Sequence, residues 1–164
     1  GLRPSTAAFS AAVSACAGEG DWKRALALLQ AMRDRGLEPD VVAYSAAISA
    51  CQRGLQSKWA LRLLETMQRE GVEPDVVAYS AVISACEEGR RWAQALGLLG
   101  AMRAARLTPH VVACSAAISA CGKGQRWGEA LALLCSMRAA SVPPNAFSYA
   151  AAMGACGRGA QWAR

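Results

Sequence analysis

One stretch of sequence recurs every 35 residues, and this period limits the possible folds more than any other feature. The segment VVAYSAAISACQRG at 41–54 returns as VVAYSAVISACEEG at 76–89 and as VVACSAAISACGKG at 111–124. Looser copies begin at residues 6 and 146. Sequence repeats of this length are typical of arrays built from one small structural unit. We therefore divide the chain into repeats 1 to 5, at 6–40, 41–75, 76–110, 111–145 and 146–164.

Each repeat contains two apolar stripes with helical spacing. In repeat 2, Tyr44, Ile48 and Cys51 follow one another at i, i+4 and i+7, which places them on one face of a helix. The second stripe has the same spacing in repeats 1 to 4, and in repeat 2 it consists of Ala60, Leu63, Leu64 and Met67. Two such helices cannot bury both apolar faces alone, so we expect consecutive repeats to stack and share a core.

The second helix of repeats 1 and 2 is followed by glycine and then proline. Glycine takes the left-handed conformation that closes a helix, and proline prevents its continuation. Gly36 and Gly71 occupy this position, whereas repeats 3 and 4 carry Arg106 and Ser141. We expect weaker helix ends in those two repeats.

Cysteine and tryptophan also follow the period. Five cysteines recur at one repeat position, namely Cys16, Cys51, Cys86, Cys121 and Cys156. This regularity on an apolar stripe favours small buried side chains in a reducing compartment over disulfides. Four tryptophans share the position before the second helix, namely Trp22, Trp92, Trp127 and Trp162, and Trp59 is displaced by two residues. We interpret them as packing between neighbouring hairpins.

The opening V-V-x-Y-S-x-x-I, the second helix A-L-x-L-L-x-x-M and the closing G-x-x-P-D together resemble the pentatricopeptide repeat family. The resemblance covers essentially the whole chain. It implies an all-α fold, a right-handed α-solenoid superhelix of antiparallel helix-turn-helix hairpins. Members of this family are typically proteins of the mitochondrion or chloroplast that bind single-stranded RNA, one base per repeat.

The resemblance also implies which residues meet the RNA bases. In the family, the fifth and last residues of each repeat face the base edge. Here these pairs are Ser10 with Asp40, Ser45 with Asp75, Ser80 with His110, and Ser115 with Asn145. By family analogy, serine with aspartate favours G and serine with asparagine favours A, so the implied ligand is G-G-x-A. From the residues alone, capping of the helix that follows is the favoured role of the aspartates, and only the resemblance favours base reading.

Two further repeat positions carry expected RNA contacts by the same resemblance. The second residue clamps neighbouring bases, and here it is Val42, Val77, Val112 or Phe147, with the smaller Ala7 in repeat 1. The thirteenth residue is often a cation facing phosphate, and Arg53, Lys123 and Arg158 fit this role. Gly18 and Glu88 depart from it, so repeat 3 lacks the cation as well as the usual reading pair.

Composition excludes several other functions. The net charge is +6, and the excess lies beyond residue 75, where nine Lys/Arg face three Asp/Glu. Charged residues, glycine and proline interrupt every apolar run, so we expect no membrane insertion. There is no C-x-x-C and only one histidine. We therefore expect no metal site, no cofactor and no enzymatic activity in this segment. The alternative to RNA binding is a helical scaffold that contacts protein subunits of a large organellar assembly.

Overall fold

A computed structural model describes residues 5–158, so Trp162 and the rest of repeat 5 after Arg158 lie outside the described part. Within it, every regular element is a helix, as predicted. The nine helices are α1 (Thr6–Glu19), α2 (Trp22–Asp34), α3 (Val41–Arg53), α4 (Ser57–Arg69), α5 (Val76–Glu88), α6 (Trp92–Ala104), α7 (Val111–Lys123), α8 (Trp127–Ala139) and α9 (Ala146–Arg158).

Side-chain caps fix where several helices begin. The residue before the helix accepts a hydrogen bond from a backbone N–H in the first turn, which would otherwise lack a partner. Ser5, Asp40 and His110 do this for the first helices α1, α3 and α7. Asp21 caps the second helix α2. Polar residues at the repeat junctions therefore encode the starts of these first helices, whereas α4, α6 and α8 begin without a side-chain cap.

The chain forms two compact units, an N-terminal unit up to Ala85 and a C-terminal unit from Cys86. In the N-terminal unit α1 packs against α2 and α3, and α3 packs against α2 and α4. In the C-terminal unit α7 packs against α6, α8 and α9, and α8 packs against α9. Within each unit, a first helix thus contacts the first helix of the next repeat (α1 with α3, and α7 with α9), and second helices pack against them.

The predicted stripes form the core. In repeat 2, Tyr44, Ile48 and Cys51 of α3 are fully buried, and so is Met67 of α4. Equivalent positions in the other repeats are buried too, including Val13, Met32, Ile83, Cys86, Met102, Ile118, Cys121 and Met137. Burial of these side chains supplies the main stabilising free energy of the array.

Trp22 and Trp92 pack against glycines of the following repeat. Added to Gly54, a Cβ atom would clash with the ring of Trp22, and added to Gly124 it would clash with Trp92. Trp59 stacks on Trp22 with the ring centroids 6.3 Å apart. This agrees with the predicted packing role.

The ends of the second helices have the expected left-handed residue. Gly36 and Gly71 have φ of +70° and +76°. Arg106 and Ser141 hold φ of +57° at the same position without being glycine. Because a side chain in this conformation is strained, the turns of repeats 3 and 4 cost more to form.

All seven cysteines are free thiols. Burial raises the pKa of Cys51 to about 12 and that of Cys121 to about 11, so both thiols stay protonated near neutral pH. Cys16 and Cys156 are only half-buried, since they lie in the outermost first helices of the described chain. No helix among residues 5–158 combines the length and hydrophobicity that a membrane span requires.

Candidate nucleic-acid interface

A groove of about 320 Å³ opens on the first-helix side of the N-terminal unit. Val42 and Val77 both line it, together with the predicted reading pair Ser45 and Asp75. Its remaining lining is small, consisting of Ser14, Ala17, Ala46 and Ser49. The structure therefore brings two clamp candidates and one reading pair into a single open cavity. The small serines and alanines were not predicted, although each belongs to the repeated first-helix segment.

The first two reading pairs form direct hydrogen bonds. Ser10 Oγ lies 3.0 Å from Asp40 Oδ1 and also 3.0 Å from the Thr6 carbonyl, so its one proton is shared between two acceptors. Ser45 Oγ donates to Asp75 Oδ1 at 3.1 Å. The Oγ–Oδ1 distances of the two pairs are similar. The fifth and last residues of repeats 1 and 2 are thus neighbours in space.

The same aspartate oxygens also cap the helices that follow. Asp40 Oδ1 accepts from the Ala43 N–H at 2.8 Å, and Asp75 Oδ1 accepts from the Ala78 N–H at 2.7 Å. Within the described residues, no hydrogen bond engages Oδ2 of either carboxylate. Capping therefore uses one oxygen and leaves the second as an acceptor. The two roles left open by the sequence are compatible.

The serines of these pairs are mostly covered. Ser10 is 5 % exposed and Ser45 is 7 % exposed, whereas Asp40 and Asp75 are half-buried. That both members of a pair face a base edge remains a prediction. The Ser45 hydroxyl is engaged by the Asp75 carboxylate, and the Ser10 hydroxyl is engaged by the Asp40 carboxylate and the Thr6 carbonyl. The carboxylate is the member with the larger open surface.

The clamp candidates are all exposed despite being apolar. Val42, Val77, Val112 and Phe147 are 53 %, 56 %, 58 % and 55 % exposed. The Phe147 ring offers a flat surface on which a base can stack, and the valines offer exposed apolar contact area at the matching position.

The fourth pair differs from the first two. Ser115 is 2 % exposed, and its Oγ lies 2.7 Å from Ser148 Oγ instead of reaching Asn145. Ser148 Oγ in turn donates to Asn145 Oδ1 at 3.0 Å. Asn145 also caps α9 by accepting from the Ser148 N–H at 2.9 Å. A third residue, Ser148, therefore separates the predicted pair, and the other repeats have alanine at its position.

In the third pair, both members have local hydrogen bonds. Ser80 Oγ donates to the Val76 carbonyl at 2.6 Å. His110 Nδ1 accepts from the Ala113 N–H at 3.3 Å, so the imidazole caps α7 through Nδ1. The role of cap is thus shared by aspartate, histidine and asparagine at this repeat position.

Two of the three predicted phosphate-facing cations reach a carbonyl near the end of a neighbouring first helix. Arg53 Nη1 donates to the Gly18 carbonyl at 3.0 Å, and Arg158 Nε donates to the Gly122 carbonyl at 2.9 Å. Both side chains are exposed and keep further N–H groups available.

The third cation, Lys123, is held by two carboxylates. Its Nζ lies 3.1 Å from Glu87 Oε1 and 3.0 Å from Glu88 Oε1. Partial burial lowers the pKa of Lys123, but hydrogen bonds and charge from the two glutamates outweigh this and raise it overall. The ammonium group thus stays charged while its charge is neutralised locally.

A polar cluster at the repeat junction of the N-terminal unit was not predicted. Tyr44 donates to Glu70 and accepts from Arg33, and Arg33 Nη2 lies 2.8 Å from Glu70 Oε1. Burial, followed by the hydrogen bond to Glu70, raises the pKa of Tyr44 to about 12. Arg33 and Glu70 also line a surface cavity of about 460 Å³. Tyr44 therefore joins core packing to an ion pair.

Residues 5–158 contain no group of three or more His, Cys, Asp or Glu side chains placed to hold a metal ion. The polar atoms of the interface are serine hydroxyls, carboxylates, an amide and an imidazole at helix starts, and cations at helix ends. Side chains of these types can contact a ligand through hydrogen bonds and charge.

Three profiles of one family match the chain. The profile described as pentatricopeptide repeat domain matches residues 62–124, PPR repeat family matches 4–53, and PPR repeat matches 42–72 and 112–142. Together these matches extend without a gap from residue 4 to residue 142. No curated protein sequence matches the chain.

Solved structures of similar fold belong to the same family. The crystal structure of the pentatricopeptide repeat protein PPR10 from maize matches with a TM-score of 0.81, 20 % identity, and coverage of 98 % of this chain and 23 % of that one. PPR10 in complex with an 18-nt psaJ RNA element matches with a TM-score of 0.79, 29 % identity, and coverage of 94 % and 23 %.

A third structure is the PPR domain of Arabidopsis thaliana protein-only RNase P 1 in complex with tRNA. It matches with a TM-score of 0.82 and 17 % identity over 92 % of this chain and 79 % of that one. The chain spans less than a quarter of the PPR10 structures. On its 35-residue period, its paired helices and the matched profiles, the chain belongs to the pentatricopeptide repeat family.

Proposed function

We propose that this chain is a sequence-selective, single-stranded RNA-binding module that acts in organellar RNA processing, stability or translation. The observation that carries the proposal is the groove of the N-terminal unit. There Val42, Val77, Ser45 and Asp75 line one open cavity. The likeness to PPR10, solved in complex with an 18-nt psaJ RNA element, supports an RNA ligand.

The geometry suggests how one base is read. A base that stacks between Val42 and Val77 would direct its polar edge toward Asp75. Asp75 Oδ2 is a pure acceptor, and the Watson–Crick edge of guanine offers two adjacent N–H donors. Ser45 fixes the carboxylate by its hydrogen bond to Oδ1. The pair Ser10 and Asp40 would read a second guanine in the same way.

Binding by these repeats alone is expected to be weak. One stacked base contributes ~1–3 kcal/mol, and association and ordering costs offset several kcal/mol of the total. A nanomolar complex requires about 12 kcal/mol net. Tight recognition of a unique RNA would therefore need further repeats.

The sharpest test replaces Asp75 by asparagine. Asp75→Asn is isosteric and keeps an oxygen to cap α5, but it adds N–H donors to the groove. By family analogy the preferred base at one position should change from G to A, with little change in melting temperature. Selection from a randomised single-stranded RNA pool, followed by fluorescence anisotropy, measures this preference.

Asp21→Asn is the matched control, because Asp21 also caps a helix and carries one negative charge but begins the second helix α2. It should leave the selected motif unchanged. If Asp75→Asn behaves like this control, Asp75 is a cap and not a reader. If no variant binds RNA even at low salt, the proposed function itself is wrong.

Two features of the C-terminal unit favour a second candidate function, a helical scaffold that binds protein subunits of a large organellar assembly. Ser148 separates Ser115 from Asn145, and Lys123 is paired with glutamates. A scaffold would remain with a multi-subunit complex after nuclease treatment, whereas an RNA-dependent association would be lost. In either case we propose that this segment binds and does not catalyse.

The cellular location proposed for both functions is the mitochondrion or chloroplast, and it rests on family membership alone.

A further inference from the structure

One repeat position is occupied by alanine in repeat 1 and by glutamate in repeat 3. Ala17 of repeat 1 lines the open groove together with Ser49 of the next repeat. Two repeats later, Glu87 takes the place of Ala17 and Ser119 takes the place of Ser49. Ser119 Oγ donates to Glu87 Oε1 at 2.7 Å. A carboxylate therefore stands where the first groove has only a methyl group.

Glu87 and its neighbour Glu88 both engage Lys123. The ammonium lies 3.1 Å from the first carboxylate and 3.0 Å from the second. The Glu87 side chain is 16 % exposed and is fixed from two sides, by Ser119 and by Lys123. Two negative charges thus surround one positive charge, and the cluster carries a net charge of −1.

The corresponding cations of repeats 2 and 5 have no such partners. In the described residues, Arg53 and Arg158 donate only to backbone carbonyls, which are neutral. A phosphate can approach either guanidinium without displacing a carboxylate. At Lys123 a phosphate would have to compete with two carboxylates and would meet their repulsion.

We infer that Glu87 and Glu88 withhold Lys123 from RNA phosphate, so that repeat 4 accepts a strand without a cationic contact to its backbone. The inference rests on the proposed RNA-binding function and adds two residues that determine where along the array the backbone is held. The two glutamates act through charge, and the sequence position alone would assign Lys123 to phosphate binding.

The test is the salt dependence of RNA binding. Each cationic phosphate contact to a single strand adds about 0.7 to the slope of log affinity against log salt. In the full chain, Glu87→Gln with Glu88→Gln keeps the side-chain volumes and hydrogen-bonding groups but frees the charge of Lys123. We expect a slope steeper by about 0.7, so that a fourfold reduction in salt raises the affinity roughly threefold more than in the unmodified protein. The probe is a labelled, randomised single-stranded RNA pool.

Three further variants test whether the effect comes from a local contact or from a general change in charge. Glu65→Gln with Glu129→Gln adds the same charge on the second helices α4 and α8 and should leave the slope at its original value. Adding Lys123→Gln to the Glu87 and Glu88 substitutions should return the slope to that of the unmodified protein. Glu88→Gln alone, at a half-exposed site, gives a smaller increase and tests the effect with the least risk to folding.

The outcomes are distinct. A slope unchanged by the Glu87 and Glu88 substitutions, or one that stays steep without Lys123, overturns the inference while RNA binding stands. An equal effect of the second-helix control also overturns it. Absence of binding by every variant at low salt contradicts the proposed function and the inference together.

Discussion

The N-terminal and C-terminal units share a scaffold but differ in the polar groups they present. Both bury the same apolar stripes and place a tryptophan against a glycine of the next repeat. In the N-terminal unit, two serines donate directly to aspartates and Arg53 is free of carboxylates. In the C-terminal unit, Ser148 separates the reading pair and two glutamates neutralise Lys123.

The difference teaches that folding and recognition use separate residues in this array. Core positions face neighbouring helices, and any change there removes buried contacts. Groove positions contact solvent and their caps tolerate aspartate, asparagine or histidine. Recognition can therefore be lost in one repeat while its helices remain, which is why a family fold does not by itself establish RNA binding by each repeat.

The largest effect is expected where the two units are alike. Gly54→Ala and Gly124→Ala would each drive a Cβ atom into a tryptophan ring of the preceding repeat. Both glycines have ordinary negative φ, so the cost is steric and not conformational. We expect a loss of ~1–3 kcal/mol in the free energy of unfolding for each variant. Urea unfolding monitored by circular dichroism measures it.

Gly97→Ala and Gly100→Ala serve as controls, since nothing lies within 4 Å of an added Cβ at either position. They lie inside α6 and should stabilise it by about 0.5–1 kcal/mol. A clear loss at only one of Gly54 and Gly124 would break the comparison, because it would mean that the two units are not built on the same tryptophan packing.

Much of the scaffold could be predicted from the sequence because it repeats. The 35-residue period and the i, i+4, i+7 stripe place Tyr44, Ile48 and Cys51 on the buried face of α3, where the structure has them. The glycine followed by proline at 36–39 marks the end of a helix, and Gly36 is left-handed there. A signal that occurs several times in phase outweighs the weak propensity of any single residue.

The interface was predicted less completely because its contacts join different repeats. Ser148 differs from alanine at one repeat position, and no local rule says that its hydroxyl will bridge Ser115 and Asn145. The pairing of Lys123 with Glu88 was readable in principle, since opposite charges occupy one position of consecutive repeats. The second carboxylate that pairs with Lys123 belongs to Glu87, which lies one residue before Glu88 and so at a different repeat position. Only the packing of α7 brings Lys123 within reach of Glu87.

A smaller effect is expected where the units differ in their helix ends. Gly36→Ala and Gly71→Ala should each cost about 1 kcal/mol, because a side chain at φ near +70° is strained. Conversely, Arg106→Gly and Ser141→Gly should each relieve strain and stabilise the folded chain by up to about 1 kcal/mol. The entropy that glycine adds to the unfolded chain offsets part of this gain. The same urea unfolding experiment compares all four variants.

The comparison becomes sharper if the alanine variants lower the free energy of unfolding and the glycine variants raise it. That result would locate the weaker turns in the C-terminal unit. Val72→Ala, next to the left-handed Gly71, controls for changes in the turn that leave its φ values intact. Destabilisation by Arg106→Gly would contradict the strain argument and would point to a stabilising contact of that side chain.

The smallest effect is expected at the bridging serine of the C-terminal unit. Ser148→Ala removes the hydroxyl that lies 2.7 Å from Ser115 Oγ and 3.0 Å from Asn145 Oδ1, but it keeps the backbone N–H that Asn145 caps. Ser115 and Asn145 could then pair as Ser45 and Asp75 do. The preference for A at the base opposite repeat 4 should increase by about 0.5–1 kcal/mol, within the net value of one hydrogen bond.

Competition between RNAs that differ only at that base measures this change. Ser136→Ala is the control, because Ser136 donates to a backbone carbonyl on the second helix α8. If the unmodified protein already selects A as strongly as the variant, the separation of the pair has no consequence for reading. A gain in selectivity confined to Ser148→Ala would instead mean that the C-terminal unit differs from the N-terminal one in function because of a single hydroxyl group.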